Sequence, residues 1–207
     1  MGIPVLIIGK SGSGKSRSLK NFSKEQIGII KVIQKELPFR NNLPSIVTNQ
    51  YSKIKSILLN SKANSLFIDD AGYLLTSEFM NKRDEKGYDK FTTLAFNYYD
   101  LIEFIQNGLP REKIVYLVMH EDENDITNEV KPKTIGKLLD EKVCVEGLFT
   151  VVIRCVNESG IHKFYVNNNG CAKTPEDMFE TDEIENDLKL VDDTIRDYWN
   201  LRKEGEN

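Results

Sequence analysis

The sequence predicts an α/β fold in which helices cover both faces of a mainly parallel sheet, a three-layer arrangement. Short apolar segments that fit buried strands alternate along the chain with segments of helical periodicity. The first apolar segment leads through a glycine-rich loop into a segment that fits a helix, an order typical of α/β proteins. At 207 residues, the chain is long enough to bury a sizeable core.

The glycine-rich loop spans residues 9–16 and reads Gly-Lys-Ser-Gly-Ser-Gly-Lys-Ser, which matches the P-loop pattern G-x-x-x-x-G-K-S/T. A strand over 3–8 and a helix over 16–22 are predicted on either side, the setting that this motif requires. The glycines let backbone N–H groups face phosphate oxygens, Lys15 offers a charge to the β- and γ-phosphates, and the Ser16 hydroxyl can ligate Mg²⁺. The residues expected to bind phosphates are Gly9, Lys10, Ser11, Gly12, Ser13, Gly14, Lys15, Ser16 and Arg17.

A second motif lies one strand and one helix further along the chain. Residues 27–33 predict the second strand, and residues 49–59 fit a helix. Residues 65–70 then form a short apolar strand ending in two carboxylates, which resembles the Walker B strand of P-loop NTPases. On that resemblance Asp69 is expected to hold Mg²⁺ and Asp70 to orient the attacking water, whereas a turn or helix cap is the alternative interpretation.

The middle of the chain leaves two alternatives open. Residues 71–90 interleave basic and aromatic side chains, which suits stacking on single-stranded nucleic acid and equally suits a solvated loop. Residues 91–106 fit an amphipathic helix, and residues 114–120 predict a buried strand with His120 at its carboxyl end. A histidine at that edge can sense the γ-phosphate, or it can be satisfied by neighbouring backbone groups.

The remaining segments are predicted to add a hairpin and a final helix. Residues 121–133 are polar without periodicity and predict a mobile loop, which a short helix over 134–141 follows. Strands over 147–156 and 161–166 predict the hairpin. Apolar residues recurring at helical spacing predict a C-terminal helix over 182–201.

Charge divides the chain in two. Residues 175–207 contain 12 acidic and 4 basic residues, whereas residues 1–174 contain 20 acidic and 24 basic residues. We expect 1–174 to form the core and 175–207 to form an acidic helical extension packed on it. Such asymmetry can accompany nucleic-acid binding, although a solvated amphipathic helix also explains the acidic end.

Composition argues against membrane insertion and against a metal centre built on cysteine. No apolar run approaches the ~20 residues that span a membrane, and no basic leader precedes the first strand, so a cytoplasmic location is expected. The three cysteines lack C-x-x-C spacing and the two histidines are too few to complete a zinc site, so buried or half-buried free thiols are expected.

The ordered set of motifs resembles that of small phage-encoded P-loop ATP-binding proteins of the RecA/AAA division, including recombinases that anneal single strands. A complete strand and helix, 27–59, separate the P-loop helix from the Asp69 strand, as in that division. The resemblance spans nearly the whole chain and rests on GKSGSGKS (9–16), LPF (37–39), LFIDDAGYLL (66–75), KGYDKFT (86–92), VMH (118–120), KTIGKLLDEKV (133–143) and AKTPEDMF (172–179).

The resemblance implies ATP and Mg²⁺ as ligands, a role in phage DNA recombination or replication, and assembly into rings or filaments with ATP held between subunits. It also implies a sheet of order 5-1-4-3-2, in which the strands are numbered along the chain. In an infected cell the expected location is the host cytoplasm. No guanine-reading N-K-x-D motif is present, which argues against a GTPase.

In one respect the chain departs from RecA-like ATPases, which usually carry a catalytic Glu at the end of the second strand. Here that strand ends without one, and Glu36 lies slightly beyond it. The general base is therefore left open among Glu36, Asp70 and Glu121. Slow hydrolysis, or hydrolysis only with a partner, is compatible with this departure.

RecA-like ATPases also complete their site with a cation from the adjacent subunit, which stabilises charge on the γ-phosphate. The region after the fifth strand offers Arg154, Lys163 and Lys173. Lys173 is the expected residue, because it follows a flexible turn and lies in a stretch that carries the resemblance. A solvated surface lysine is the alternative interpretation.

Two functions from different classes are compatible with the sequence. The first is a DNA-dependent ATPase that assembles on single-stranded DNA and promotes annealing or strand exchange. The second is an ATP-switched loader or regulator of a helicase, single-strand-binding protein or other replication protein, with little DNA affinity of its own. A nucleotide kinase is disfavoured because of the inserted strand and the absence of an evident arginine-rich lid.

Overall fold

One sheet runs through the protein, whose computed structural model describes residues 1–124 and 126–201. Nine strands lie in these ranges. They are β1 (Ile3–Gly9), β2 (Ile27–Lys31), β3 (Ser45–Val47), β4 (Ser65–Asp69), β5 (Ile114–Glu123), β6 (Val130–Pro132), β7 (Val151–Glu158), β8 (Ile161–Tyr165) and β9 (Glu183–Glu185). Their order is β3-β2-β4-β5-β1-β7-β8-β9, and β6 pairs with β5.

The helices of the described ranges are few. The α-helices are α1 (Tyr51–Asn60), α2 (Tyr73–Asn81), α3 (Asp89–Gly108) and α4 (Leu188–Tyr198). Shorter helical turns occupy Ser16–Asn21, Leu138–Lys142 and Val145–Leu148. None of the helices described combines the length and hydrophobicity that crossing a bilayer requires.

The prediction of a mainly parallel sheet is confirmed. β1 runs parallel to β5 and β7, β4 runs parallel to β2 and β5, and β3 runs parallel to β2, whereas β6, β8 and β9 pair antiparallel. The observed order differs from the predicted order of five strands because further strands extend the sheet. β3 lies at one edge, and β8 and β9 lie at the other. The five strands common to both follow one another in the same sequence, and β5 separates β1 from β4.

Alternate residues of the central strands face two separate apolar layers, as the period of two in a strand requires. Leu6 and Leu66 pack in the layer that contains residues of α1, α2 and α3. Val5 and Phe67, one position along each strand, pack in the layer that contains residues of α4. The sheet is therefore buried on both faces, which explains why its central strands have almost unbroken apolar sequences.

The segment 121–133 is not the mobile loop that its composition predicts, over the residues described; Asp125 lies outside them. β5 continues to Glu123, and β6 pairs back on it in an antiparallel hairpin. The strand continues because of a contact with a residue that is distant in the sequence. Arg154 on β7 donates to both carboxylate oxygens of Glu121 at 2.9 and 3.0 Å, which neutralises a charge that would otherwise end a buried strand.

Other segments differ from the predicted bounds. The polar stretch 71–90 contains α2, whose Leu74 and Leu75 are buried in the core. The helices predicted over 16–22 and 134–141 are a short 3₁₀ turn and a π-helical turn. The predicted hairpin is confirmed as the antiparallel pair β7 and β8.

The C-terminal region begins its helix later than predicted, because β9 precedes it. The Asp187 side chain accepts hydrogen bonds from the backbone N–H groups of Lys189 and Leu190, so it caps α4 at its start. Leu188, Val191 and Ile195 of α4 pack in the apolar layer shared with β1. Residues 202–207 of the predicted extension lie outside those that the structure describes.

Candidate functional site

The P-loop follows β1 at the carboxyl edge of the parallel strands, between the ends of β5 and β7. The backbone approaches its neighbours closely there. A Cβ on Gly9 would lie 2.4 Å from the carbonyl oxygen of Cys155, so no side chain fits. Gly14 has φ of +109° and a Cβ on it would meet His162 at 2.7 Å, so glycine is required for both conformation and space.

Lys15 is folded into the loop that carries it, with only 7% of its surface exposed. Its ammonium group donates to the carbonyl oxygens of Gly9 at 2.6 Å and Lys10 at 2.8 Å. Burial lowers the pKa of Lys15 from its ordinary value, because the charged form loses hydration. An ammonium group has three donors, so one remains available to a ligand.

Ser16 and Asp69 meet as the two motifs predict. The Ser16 hydroxyl lies 2.9 Å from Asp69 Oδ1 and 3.2 Å from Oδ2, and donates to the carboxylate. Burial is the main cause that raises the pKa of Asp69, and the neighbouring charge of Asp70 adds to it. A buried carboxylate with one hydroxyl donor is a site that a cation would stabilise.

The donor chemistry fits Mg²⁺ bound together with phosphates. Within the described part of the chain, no group of three His, Cys, Asp or Glu side chains is arranged to hold a metal ion. The pair Ser16 and Asp69 therefore supplies two oxygen donors rather than a complete cage. Mg²⁺ commonly takes one or two protein ligands and completes its octahedron with phosphate oxygens and water.

Asp70 lies at the centre of a polar cluster next to Asp69. Its φ of +57° is in the left-handed region, which is uncommon for a residue with a side chain. Lys35 forms an ion pair with Asp70 Oδ2 at 2.7 Å, and His120 Nε2 lies 3.6 Å from Oδ1. The Tyr73 ring packs edge-on against His120, with ring centroids 6.0 Å apart. Burial lowers the pKa of His120, and the charge of Lys15 is the next cause.

A cavity of about 470 Å³, which we call the phosphate cavity because the P-loop lines it, contains most of the predicted site. Its walls include 11–17 of the P-loop region together with Glu36, Asp69, Asp70 and His120. Lys10 instead lines a neighbouring cavity, where it forms an ion pair with Glu123 at 2.6 Å. The structure thus brings together residues from the ends of β1, β2, β4 and β5, as expected for an open α/β sheet.

The three candidates for the general base have different surroundings. Glu36 lines the phosphate cavity with its side chain 90% exposed, 3.9 Å from Lys31 Nζ. Asp70 is held by Lys35 at the edge of the same cavity. The Glu121 side chain is 2% exposed and engaged by Arg154 at both oxygens, so it is not available as a base.

Lys173 does not line the phosphate cavity of its own chain. Its backbone pairs with Val152 near the start of β7, and its side chain is half-buried. The other two cations considered for the role are already paired, Arg154 with Glu121 and Lys163 with Glu183 at 2.6 Å. A role of Lys173 in a neighbouring subunit stays a prediction.

Three side chains that support the P-loop region, Cys155, His162 and Asn186, were not predicted from the sequence. The Cys155 thiol donates to the Ser13 carbonyl oxygen at 3.2 Å, and His162 Nδ1 lies 2.7 Å from the same oxygen. A carbonyl oxygen only accepts, so His162 carries its proton on Nδ1 at this contact. Asn186 donates to Cys155 Sγ at 3.3 Å and accepts from Arg17 at 3.4 Å.

No local signal could have identified Cys155, His162 and Asn186, since more than a hundred positions separate them from the loop. Lys35 was not predicted either, because the sequence around it indicates only a loop. Its assignment to the site depends on the contact with Asp70, which only the folded chain shows.

Among solved structures, the chain is similar to one in the X-ray structure of the Legionella pneumophila ATPase DotB. The identity is 11% and the TM-score 0.36, over 100% of this chain and 54% of that chain. The chain therefore spans about half the length of the one it matches. No family model and no curated protein matches the chain.

Proposed function

We propose that the protein binds ATP as its magnesium complex and hydrolyses it. The observation that carries this proposal is the contact of Ser16 with Asp69 at 2.9 Å, directly after Lys15 of the P-loop. A hydroxyl and a carboxylate that meet at the foot of a phosphate-binding loop are the two protein ligands that a nucleotide-bound Mg²⁺ requires.

The P-loop residues have the roles that their geometry supports. Backbone N–H groups of 11–16 hold the phosphates, and Lys15 neutralises their charge with its remaining N–H donor. Mg²⁺, when bound, supplies positive charge that polarises the phosphates. Because the desolvated Lys15 and Asp69 are already fixed by hydrogen bonds, little reorganisation is needed when the nucleotide enters.

Asp70 and His120 are the groups best placed to hold the attacking water. Both line the phosphate cavity, and His120 Nε2 lies 3.6 Å from Asp70 Oδ1. Asp70 accepts a hydrogen bond from water, and His120 senses whether a γ-phosphate is present. Glu36, which lines the same cavity, is the second candidate for the base.

The deciding experiment measures ATP binding and phosphate release with and without Mg²⁺. Lys15→Ala is expected to abolish nucleotide binding or turnover, whereas Lys20→Ala, a change of an exposed lysine in the next turn, should leave both unchanged. Ser16→Ala should weaken the response to Mg²⁺. If Lys15→Ala bound and hydrolysed ATP as the unmodified protein does, the proposal would be wrong.

The further part of the proposal is that this ATPase acts on single-stranded DNA as a ring or filament, in annealing or strand exchange during phage recombination in the host cytoplasm. The excess of basic residues over 1–174 supports it. So do three exposed aromatic side chains near or on α3, Tyr88, Phe96 and Tyr99, since bases stack on exposed rings.

The lysines of this region support it less. Lys82 contacts Glu78 at 3.9 Å, and Lys90 lies over the rings of Phe79 and Phe91 at 5.1 and 5.4 Å. These charges are engaged within the chain. A loader or regulator of a helicase or single-strand-binding protein is therefore the alternative, with little DNA affinity of its own.

A salt titration of oligonucleotide binding separates the two functions. Direct binding predicts an affinity that falls steeply as salt rises, because phosphate contacts release counterions. Changing Tyr88 and Phe96 together to Ala should weaken binding about 30-fold or more if both rings stack, at ~1–3 kcal/mol per base. Tyr198→Ala, which changes a partly exposed tyrosine on α4, is the matched control. Absence of salt-dependent binding would favour the loader.

A further inference from the structure

A second cavity of about 480 Å³ adjoins the one that contains the P-loop. The two share Ser11, Lys35, Asp70 and His120 as a common wall. The outer wall of the second cavity is formed by the start of α2 and by the segment that follows β6. A single water molecule takes up only ~30 Å³, so this cavity has room for a small organic ligand.

The carboxylates in the wall of the second cavity are already neutralised. Asp70 is paired with Lys35 at 2.7 Å, and Glu121 is paired with Arg154 at 2.9 Å. Their charges are therefore not available to attract a cationic ligand. The cavity does not have the character of a cation site.

Lys133 gives the second cavity an excess of positive charge. Its backbone N–H donates to the His120 carbonyl oxygen at 2.8 Å, which fixes it at the end of the β5–β6 hairpin. Among the side chains that the structure describes, no carboxylate forms an ion pair with Lys133. Its charge nevertheless acts on the site, since it is one of the minor causes that lower the pKa of His120, after burial and Lys15.

Hydroxyl groups complete the set of donors. Ser11, Tyr73 and Thr76 line the second cavity together with Lys35 and Lys133. Each ammonium group has three N–H donors and each hydroxyl has one. A phosphate group can accept from more of these donors than a carboxylate can, because it presents three oxygens.

We propose that the second cavity binds the phosphate group of a small phosphorylated molecule, with Lys133 as the cation that recognises it and Lys35, which is paired with Asp70, as a further N–H donor. The proposal rests on the proposed function only in assigning ATP to the neighbouring cavity. Because Lys35 lines both cavities, the two ligands are expected to change each other's affinity, and this coupling is reciprocal.

The first test is calorimetric titration of inorganic phosphate into protein saturated with the magnesium complex of AMP-PNP, which fills the P-loop. Phosphate should still bind. Lys133→Ala should weaken that binding at least 10-fold, whereas Lys137→Ala, a change of an exposed lysine outside the cavity, should not alter it. Absence of phosphate binding to the AMP-PNP complex, or equal binding by Lys133→Ala and the unmodified protein, would overturn the proposal.

The second test addresses the coupling through Lys35. Phosphate affinity should differ several-fold between the AMP-PNP and ADP complexes, and Lys35→Ala should remove the difference. Identical affinities in the two complexes would contradict this coupling.

Nucleotide binding is measured separately in the same experiments. If AMP-PNP failed to bind, the proposed ATPase function would fail, and phosphate binding that disappeared in Lys133→Ala would still support the second site. If AMP-PNP bound and phosphate did not, only the second site would fail.

Discussion

Polar groups are buried at both ends of β4, but the two ends differ in how fully these groups are hydrogen-bonded. At the amino end, the Ser65 hydroxyl donates to Asp192 at 2.7 Å, and Tyr116 donates to the same carboxylate at 2.8 Å. Arg196 completes the network with a contact to Asp192 at 2.8 Å. The charges are paired and the polar atoms of this network have partners within the chain, so this end is a closed structural connection between α4 and the sheet.

At the carboxyl end, the polar groups are left incomplete. Buried Asp69 has one hydroxyl donor, Ser16. The Ser13 hydroxyl is buried with no hydrogen-bond partner in the described structure, and Asp70 has a left-handed backbone. Unpaired polar groups and strained backbone destabilise a fold unless a ligand completes them. We infer that the carboxyl end of β4 is arranged to bind a ligand, whereas the amino end stabilises the fold.

The largest expected effect is on the closed end. Asp192→Ala leaves the Arg196 side chain, which is 12% exposed, without its carboxylate, and this should lower the free energy of unfolding by ~3–5 kcal/mol. Asp193→Ala, which changes the neighbouring ion-paired acid of α4, should cost less than ~1 kcal/mol because that pair is partly exposed. Urea unfolding of both variants measures the difference. Equal losses would show that the network of Asp192 contributes no more to stability than a partly exposed ion pair does.

A matched pair of serines gives the next largest effect. Ser65 and Ser13 are 2% and 4% exposed, but only Ser65 has side-chain hydrogen bonds. Ser65→Ala should destabilise the protein by ~1–3 kcal/mol, because it leaves Asp192 short of a donor. Ser13→Ala should leave stability unchanged or raise it slightly, because it removes a buried hydroxyl that has no hydrogen bond. Thermal unfolding without nucleotide tests this, and a loss at Ser13 as large as at Ser65 would contradict it.

Much of the carboxyl end could be predicted because its signals are local. The P-loop is a contiguous pattern, and Asp69 ends an apolar strand. Parallel strands end at one edge of a sheet, so the contact of Ser16 with Asp69 follows from the topology although 53 positions separate them. The roles of these residues in hydrolysis remain predictions.

The amino end could not be predicted for the same physical reason. Asp192 stands in an acidic helix, where a buried carboxylate and a solvated one have the same sequence signal. It becomes structural only through Ser65, which lies 127 positions away. Likewise, the Glu121–Arg154 pair makes a strand of a segment that composition predicts to be a loop.

A smaller effect of opposite sign is expected for Asp69→Asn. Burial raises the pKa of Asp69, so at neutral pH its ionised form is less favourable in the folded protein than in the unfolded chain. The amide should raise stability in metal-free buffer by ~1 kcal/mol, or roughly 2–4 °C for a domain of this size. Mg²⁺ should also no longer stimulate ATP turnover in the Asp69→Asn variant. A loss of stability comparable to that of Asp192→Ala would show that Asp69 is structural.

The smallest effect concerns the thiols, and it tests how stable the contact between Cys155 and the P-loop is. Burial raises the pKa of Cys155 and of Cys171 to about 11, whereas Cys144 is exposed, with a pKa raised by its hydrogen bond to Glu146. A thiol of pKa about 11 is only ~0.1% thiolate at pH 8, and thiolate is the form that iodoacetamide alkylates. Cys155 is also covered, so mass spectrometry should find Cys144 alkylated first and Cys155 last.

Raising the pH from 8 to 9 should speed alkylation of half-buried Cys171 about 10-fold, because its thiolate fraction rises 10-fold. Rapid alkylation of Cys155 at pH 8 would mean that the support of Ser13 opens readily, and the carboxyl end would then be looser than its hydrogen bonds indicate.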